Sequence, residues 1–173
     1  MPAPSDDPNL YQPHWDLERP DPPFRGRVMR AAHRAGAQEL GATLYELEAG
    51  GAVSPYHVHH ANEELLIVLD GNPALRTPEG TRRLDPGAVV AFRRGENGAH
   101  RVTNPGPAPA RVLIVSTMHF PEVAEHPDIG TVMAMTHQTS GWAFPAEAAV
   151  PFLERVVAAM HAGDGREEPA GAE

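Results

Sequence analysis

The sequence predicts an all-β domain, a sandwich or barrel, with an extended arm before it and a single helix after it. Three observations predict this. Between residues 40 and 118, short runs rich in Val, Leu, Ile and Thr alternate with Gly, Pro, Asn and Asp. Residues 1–24 instead carry seven prolines and scattered acids, the composition of an arm that docks on something or stays mobile. Near the C-terminus, Phe152, Leu153, Val156, Val157 and Met160 recur at helical spacing.

In chain order, the expected strands are Thr43–Glu48, Val53–His59, Glu64–Leu69, Ala74–Thr77, Thr81–Leu84, Ala88–Phe92, His100–Thr103 and Arg111–Met118. Pro78-Glu79-Gly80 reads as a tight hairpin turn and Asp70-Gly71-Asn72-Pro73 as a second. Pro121 to Phe144 reads as loop, with one further strand at Thr131–Met135. Pro151 stands at the first position of the expected helix and Gly163 is placed to end it. The division that follows is an arm over 1–24, a barrel over 25–135, an extension with the helix over 136–163 and a disordered tail over 164–173.

Composition narrows the function. The 173 residues hold one ordinary domain with extensions. No apolar run is long enough to span a bilayer, and the N-terminus lacks the basic start and apolar stretch of a signal peptide, so the expected compartment is the cytoplasm. A net charge of −9 argues against nucleic acid and anionic membrane as partners, although Arg25, Arg27, Arg30 and Arg34 cluster. There is no cysteine, which removes disulfides, thiolate metal sites and thiol nucleophiles. There is no lysine either, which removes Schiff-base chemistry and a P-loop. A small-molecule or protein partner remains.

The chemistry concentrates between Gly51 and Gly71. In a strand, residues two apart share a face, so His57 and His59 project to one side. A short connection over His60–Glu63 returns the chain with a carboxylate beside them, and two imidazoles with a carboxylate suit a divalent first-row metal. Alternation favours Glu64 over Glu63, because an inward Glu64 puts Leu66 and Val68 inward too. From Gly87 to Asn104, a strand and a glycine-containing turn lead to His100, which adds a third imidazole from across the barrel.

These two stretches resemble the paired motifs of the cupin superfamily, Gly-x5-His-x-His-x4-Glu-x6-Gly and Gly-x5-Pro-x-Gly-x2-His-x3-Asn. The first is matched in full from Gly51 to Gly71. In the second, Arg93 replaces the proline, and four residues rather than two separate Gly95 from His100, while the spacing to Asn104 is kept. The resemblance implies a double-stranded β-helix, a jelly-roll barrel, holding one divalent metal ion through His57, His59, Glu64 and His100. Fe is the favoured ion, with Mn, Zn, Ni and Cu open. The implied function is a small-molecule metalloenzyme, first a non-haem iron dioxygenase. A metal-dependent isomerase or lyase, or a non-catalytic ligand-binding module, stands as the alternative. No residue is assigned as catalytic, because no further inward acid or base shows in the strand patterns.

Other candidates are weaker. His60 has the opposite parity to the pair and reads as a surface or supporting residue; His119, His126 and His137 lack ligand spacing and read as structural. Arg93 and Arg94 are placed to grip a substrate carboxylate or simply to be solvated. Tyr45, Tyr56 and Phe92 line a pocket or pack the core. Leu65, Ile67 and Leu69 make the second face of their strand apolar, which calls for a cover. A homodimer is the expected cover, and the chain's own arm or helix the competing one.

Overall fold

The computed structural model describes residues 7–163; the first six residues of the expected arm, and the expected tail over 164–173, lie outside the described residues. The elements are β1 (Leu17–Arg19), β2 (Gly26–Met29), a single helical turn α1 (Ala31–Arg34), β3 (Gly41–Leu47), β4 (Val58–His59) and β5 (Glu64–Asp70). There follow β6 (Ala74–Thr77), β7 (Gly80–Arg83), β8 (Val89–Phe92), β9 (Arg101–Thr103) and β10 (Ala110–Ser116). The chain ends with β11 (Glu122–His126), β12 (Thr131–His137), β13 (Ser140–Pro145) and α2 (Phe152–Gly163).

All strand pairs are antiparallel. One wall is a six-stranded sheet in the order β1-β2-β3-β10-β5-β8. The other comprises β7-β6-β9 and β13-β12-β11-β4, joined by single bridges from Ala52 to Thr103 and from His57 to His100. Between the walls lie Leu47, Leu66, Leu75, Leu84, Phe92, Val102, Val112 and Ile114, the inward-facing residues of strands that alternate as a two-walled barrel requires. The expected all-β barrel with a C-terminal helix is the fold observed.

The strand from Val53 to His59 is shorter than expected: only Val58–His59 is ladder, with isolated bridges before it. Pro55 has no N–H to give to a ladder, which explains the gap. The Asp70–Pro73 turn is a corner and not a hairpin, because β5 and β6 belong to different walls. The Asn72 amide fixes that corner by donating to the Leu84 carbonyl at 3.3 Å and to Asp85 at 2.9 Å.

The larger correction lies after the barrel. The segment expected to be mostly loop forms three strands, and β11 pairs with β4, placing Ala124 opposite His59. Its alternation is inverted: Glu122 and Ala124 are buried while Val123 is exposed, so no apolar stripe marks the strand. β12 runs across position 135, where the sequence ends the barrel, and forms a hairpin with β13.

The outer face of the six-stranded wall is covered in part by the arm. Leu10 and Trp15 pack with Leu69 and Leu113 over Met29, Ala31 and Leu44. Beside them Glu46, buried on this outer face, is gripped by the Arg27 guanidinium and by Arg111 Nε at 2.6 Å. Leu65 and Ile67 are half-buried, and their neighbour Val89 is 60% exposed. No helix of the described residues is long and apolar enough to cross a membrane.

Candidate metal centre

His57, His59, Glu64 and His100 meet at one place between the walls. Candidate ligand atoms of His57, His59 and Glu64 lie within 4.8 Å of one another. One Glu64 oxygen, Oε2, is 3.4 Å from His59 Nε2 and 3.2 Å from His100 Nε2. The His57 ring centroid is 4.7 Å from that of His59 and 4.4 Å from that of His100. Glu63, the competing carboxylate, is exposed on the other face, as alternation requires.

The two extra residues before His100 are absorbed locally. Glu96–Gly98 coil into one 3-10 turn, entered through Gly95 at φ 80°. A Cβ on Gly98 would lie 1.6 Å from the Arg93 carbonyl oxygen, so only glycine fits where the turn folds back. His100 then bridges His57 through paired backbone hydrogen bonds of 3.0 and 3.1 Å. The motif asparagine, Asn104, is buried and ties loops together, donating to the Leu47 and Ala108 carbonyls at 2.9 and 2.8 Å.

The rings are oriented from behind. His57 Nδ1 donates to the Pro55 carbonyl at 3.0 Å, and His100 Nδ1 to the Gly98 carbonyl at 2.9 Å. With Nδ1 protonated, each Nε2 carries its lone pair toward the cluster, the arrangement of a metal-binding imidazole. Phe92 stacks on His100, with centroids 3.6 Å apart and planes 8° from parallel. Three imidazoles and a carboxylate converging through unprotonated atoms fit a divalent first-row ion.

The electrostatics agree with that donor set at His57 and Glu64, while His59 holds its proton more tightly than a free imidazole. Burial, reinforced by the neighbouring His100 and His59, pushes the His57 imidazole down to about 3 from 6.5, keeping it neutral. Burial alone would raise Glu64, but the His100 and His59 imidazoles, 3.2 and 3.4 Å from its Oε2, outweigh burial and hold its carboxyl far below the usual carboxylate range. Burial also lowers His59, yet the Glu64 carboxylate set against its ring and the charge of Glu122 outweigh it and leave it raised above 6.5.

Two residues at this place carry no sequence signal. β11 turns Glu122 and His126 to the same side as Ala124, toward the histidines. Glu122 Oε2 lies 3.7 Å from His59 Nδ1. The His126 ring is 5.8 Å from that of His57, its Nδ1 buried without a partner among the described residues, and burial followed by the His59 charge lowers it below 6.5. The expectation that no further acid or base faces inward is therefore corrected, and His126, expected to be structural, lies beside the histidines. The signal was masked because the strand's polar residues face in. The remaining candidates stay outside: His60 is an exposed residue paired with Glu125 at 2.7 Å, and Arg93, Arg94, His119 and His137 are exposed.

Residues 43–116 match the family profile described as Cupin domain. The barrel is a cupin domain. Among solved structures it is similar to a cupin-superfamily sugar phosphate isomerase from Silicibacter pomeroyi. The identity is 25%, covering 75% of this chain and 82% of that one with a TM-score of 0.66. A putative sugar phosphate isomerase from Acidithiobacillus ferrooxidans shares the fold at 20% identity, covering 80% and 87% with a TM-score of 0.70. A Thermus thermophilus protein does so at 24% identity, covering 65% and 97% with a TM-score of 0.51. No curated protein matches the sequence. Cupins commonly bind a divalent metal, and a His-His-Glu group is present in this cupin domain.

Proposed function

We propose that this cupin is a metal-dependent enzyme that moves a proton on a small oxygenated molecule, an isomerase or lyase, with the ion held by His57, His59, Glu64 and His100. The observation that carries the reading is the inward face of β11, which sets a neutral imidazole, His126, beside the donor set. A bound divalent ion would supply Lewis acidity toward a carbonyl or hydroxyl oxygen. His126 is placed to accept a carbon-bound proton and would return it to the neighbouring carbon in an isomerisation, and Phe92 keeps His100 in place. The likeness to a protein described as a sugar phosphate isomerase supports the same class. The test is a panel of aldoses, ketoses and their phosphates in deuterium oxide with zinc- or manganese-loaded protein. Deuterium incorporation that His126→Ala abolishes, with the metal retained, is expected; no exchange on any substrate contradicts the reading.

A dioxygenase is the second reading, favoured by the wholly apolar interior of Leu66, Val68 and Val102 next to the site and by a four-donor set on an ion that takes six. Oxygen uptake by iron-loaded protein, absent with zinc, separates the two. We also infer a homodimer. The arm covers Leu69 but leaves Leu65, Ile67 and Val89 partly open, and α2 exposes Phe152 and Leu153 at 83% and 71%. Light scattering at micromolar concentration is expected to report twice the chain mass, and a monomer contradicts it.

A further inference from the structure

Each histidine of the donor set has a group behind it, and one of the three is different in kind. His57 and His100 donate Nδ1–H to the neutral backbone carbonyls of Pro55 and Gly98. His59 Nδ1 is buried and has no hydrogen-bond partner among the described residues. What faces it is a carboxylate, Glu122, 3% exposed, with Oε2 3.7 Å away. Glu122 is itself held rigidly. Its Oε1 accepts the backbone N–H of His60 at 3.0 Å and of Ala61 at 3.2 Å, and its Oε2 accepts the Asn62 amide. Asn62 cannot reverse its amide without loss, because its Oδ1 accepts the His119 N–H at 2.5 Å and the Thr117 hydroxyl at 3.1 Å. Among the described residues no arginine pairs with Glu122, and His59 is the one ionisable group set against its charge.

We propose that Glu122 is the positioning residue of His59, holding it as the Nδ1–H tautomer so that Nε2 is presented to the metal. The proposal rests on the metal-site reading. A charged acceptor makes the imidazole a stronger donor than a backbone carbonyl does, and it adds a second negative charge near the ion beside that of Glu64. Glu122 has a structural duty too, joining the His60–Asn62 turn to β11, and the test must separate the two roles. Glu122→Gln, with Asn62→Ala as its control, does so. In Glu122→Gln the amide oxygen still accepts from His60 and Ala61, while the NH2 group is turned on His59 Nδ1, where only an acceptor ring nitrogen is tolerated, and the bond from Asn62 is lost; Asn62→Ala loses that bond alone, keeps the carboxylate on His59 and is expected to leave the His59 tautomer unchanged.

The experiment uses the full chain loaded with cobalt(II), whose paramagnetism shifts the ring N–H protons of bound histidines far outside the normal proton spectrum. Wild type is expected to show three shifted signals that disappear in deuterium oxide, from His57, His59 and His100. Glu122→Gln is expected to lose the His59 signal, keep the other two, and bind cobalt roughly 10–100-fold more weakly. Should that variant fail to fold, Glu122→Asp decides. It keeps the charge but draws it back, and is expected to speed exchange of the His59 signal and weaken binding several-fold. Three unchanged signals with wild-type affinity in the variant that folds overturn the role of Glu122 and leave the metal site standing. No shifted signals in wild type overturn the metal site and this proposal together.

Discussion

The two sides of the candidate centre are built on opposite plans. On the side of β5 and β9, polar donors continue into hydrocarbon: Glu64 is followed inward by Leu66 and Val68, and His100 by Val102, all buried in the core. On the side of β11, the inward residues are Glu122, Ala124 and His126, and the apolar residue, Val123, points out. The first side is fixed by close packing, which forbids small displacements. The second is fixed by hydrogen bonds that Glu122 accepts from His60, Ala61 and Asn62. Glu64 and His100 therefore depend on the core, whereas the groups on β11 depend on a polar network.

The sharpest way to break this comparison is to remove a ligand. His59→Ala and Glu64→Ala are each expected to abolish stoichiometric metal content while circular dichroism reports an intact barrel, because the apolar layer folds without the ion. Unchanged metal content in either variant removes the basis of the centre. Next in size is the core. Leu66→Ala is expected to cost about 2–5 kcal/mol in urea unfolding, whereas Val123→Thr on β11 stays within ~0.5 kcal/mol. Equal losses would mean that the two sides are packed alike.

Acidity sharpens the comparison further. Metal affinity is expected to fall as pH drops, since the imidazoles must be unprotonated to bind. Because His59 is raised above 6.5, the gain in affinity with rising pH should continue beyond 6.5. An affinity independent of pH between 5 and 8, measured by chelator competition, contradicts the histidine donor set. The smallest effect concerns Glu46 on the outer face. Burial raises its carboxyl, but the hydrogen bonds from Arg27 and Arg111 outweigh that and leave it below 4.5. A depressed carboxyl stabilises the folded state above its unfolded value, and that stability is lost as pH falls through the folded one. Wild type should therefore lose its advantage over Glu46→Gln in thermal unfolding below about pH 4.5; a constant difference down to pH 2 would show the pair to be electrostatically idle.

The sequence reveals most where side-chain character and burial agree. Leu66 and Val68 alternate with Leu65 and Ile67 from Glu64 onward, so parity alone separates Glu64 from Glu63. His100 is found in spite of two extra residues, because the 3-10 turn at Glu96–Gly98 coils them away and leaves the later strand in register. β11 hides because its buried positions are polar. β13 hides for the reverse reason, with Trp142 and Phe144 exposed along an edge that nothing in the described chain covers. A helix with Phe152 and Leu153 turned outward is nonetheless legible, since helical spacing does not depend on what the face meets.

The central claim, that four side chains hold one divalent ion, is tested most directly by X-ray absorption at the zinc edge on metal-stripped protein reloaded with one equivalent of zinc. The account predicts three imidazole nitrogens and one carboxylate oxygen, with solvent completing the coordination. A spectrum without imidazole scattering, or a protein that retains no zinc after desalting, would contradict it.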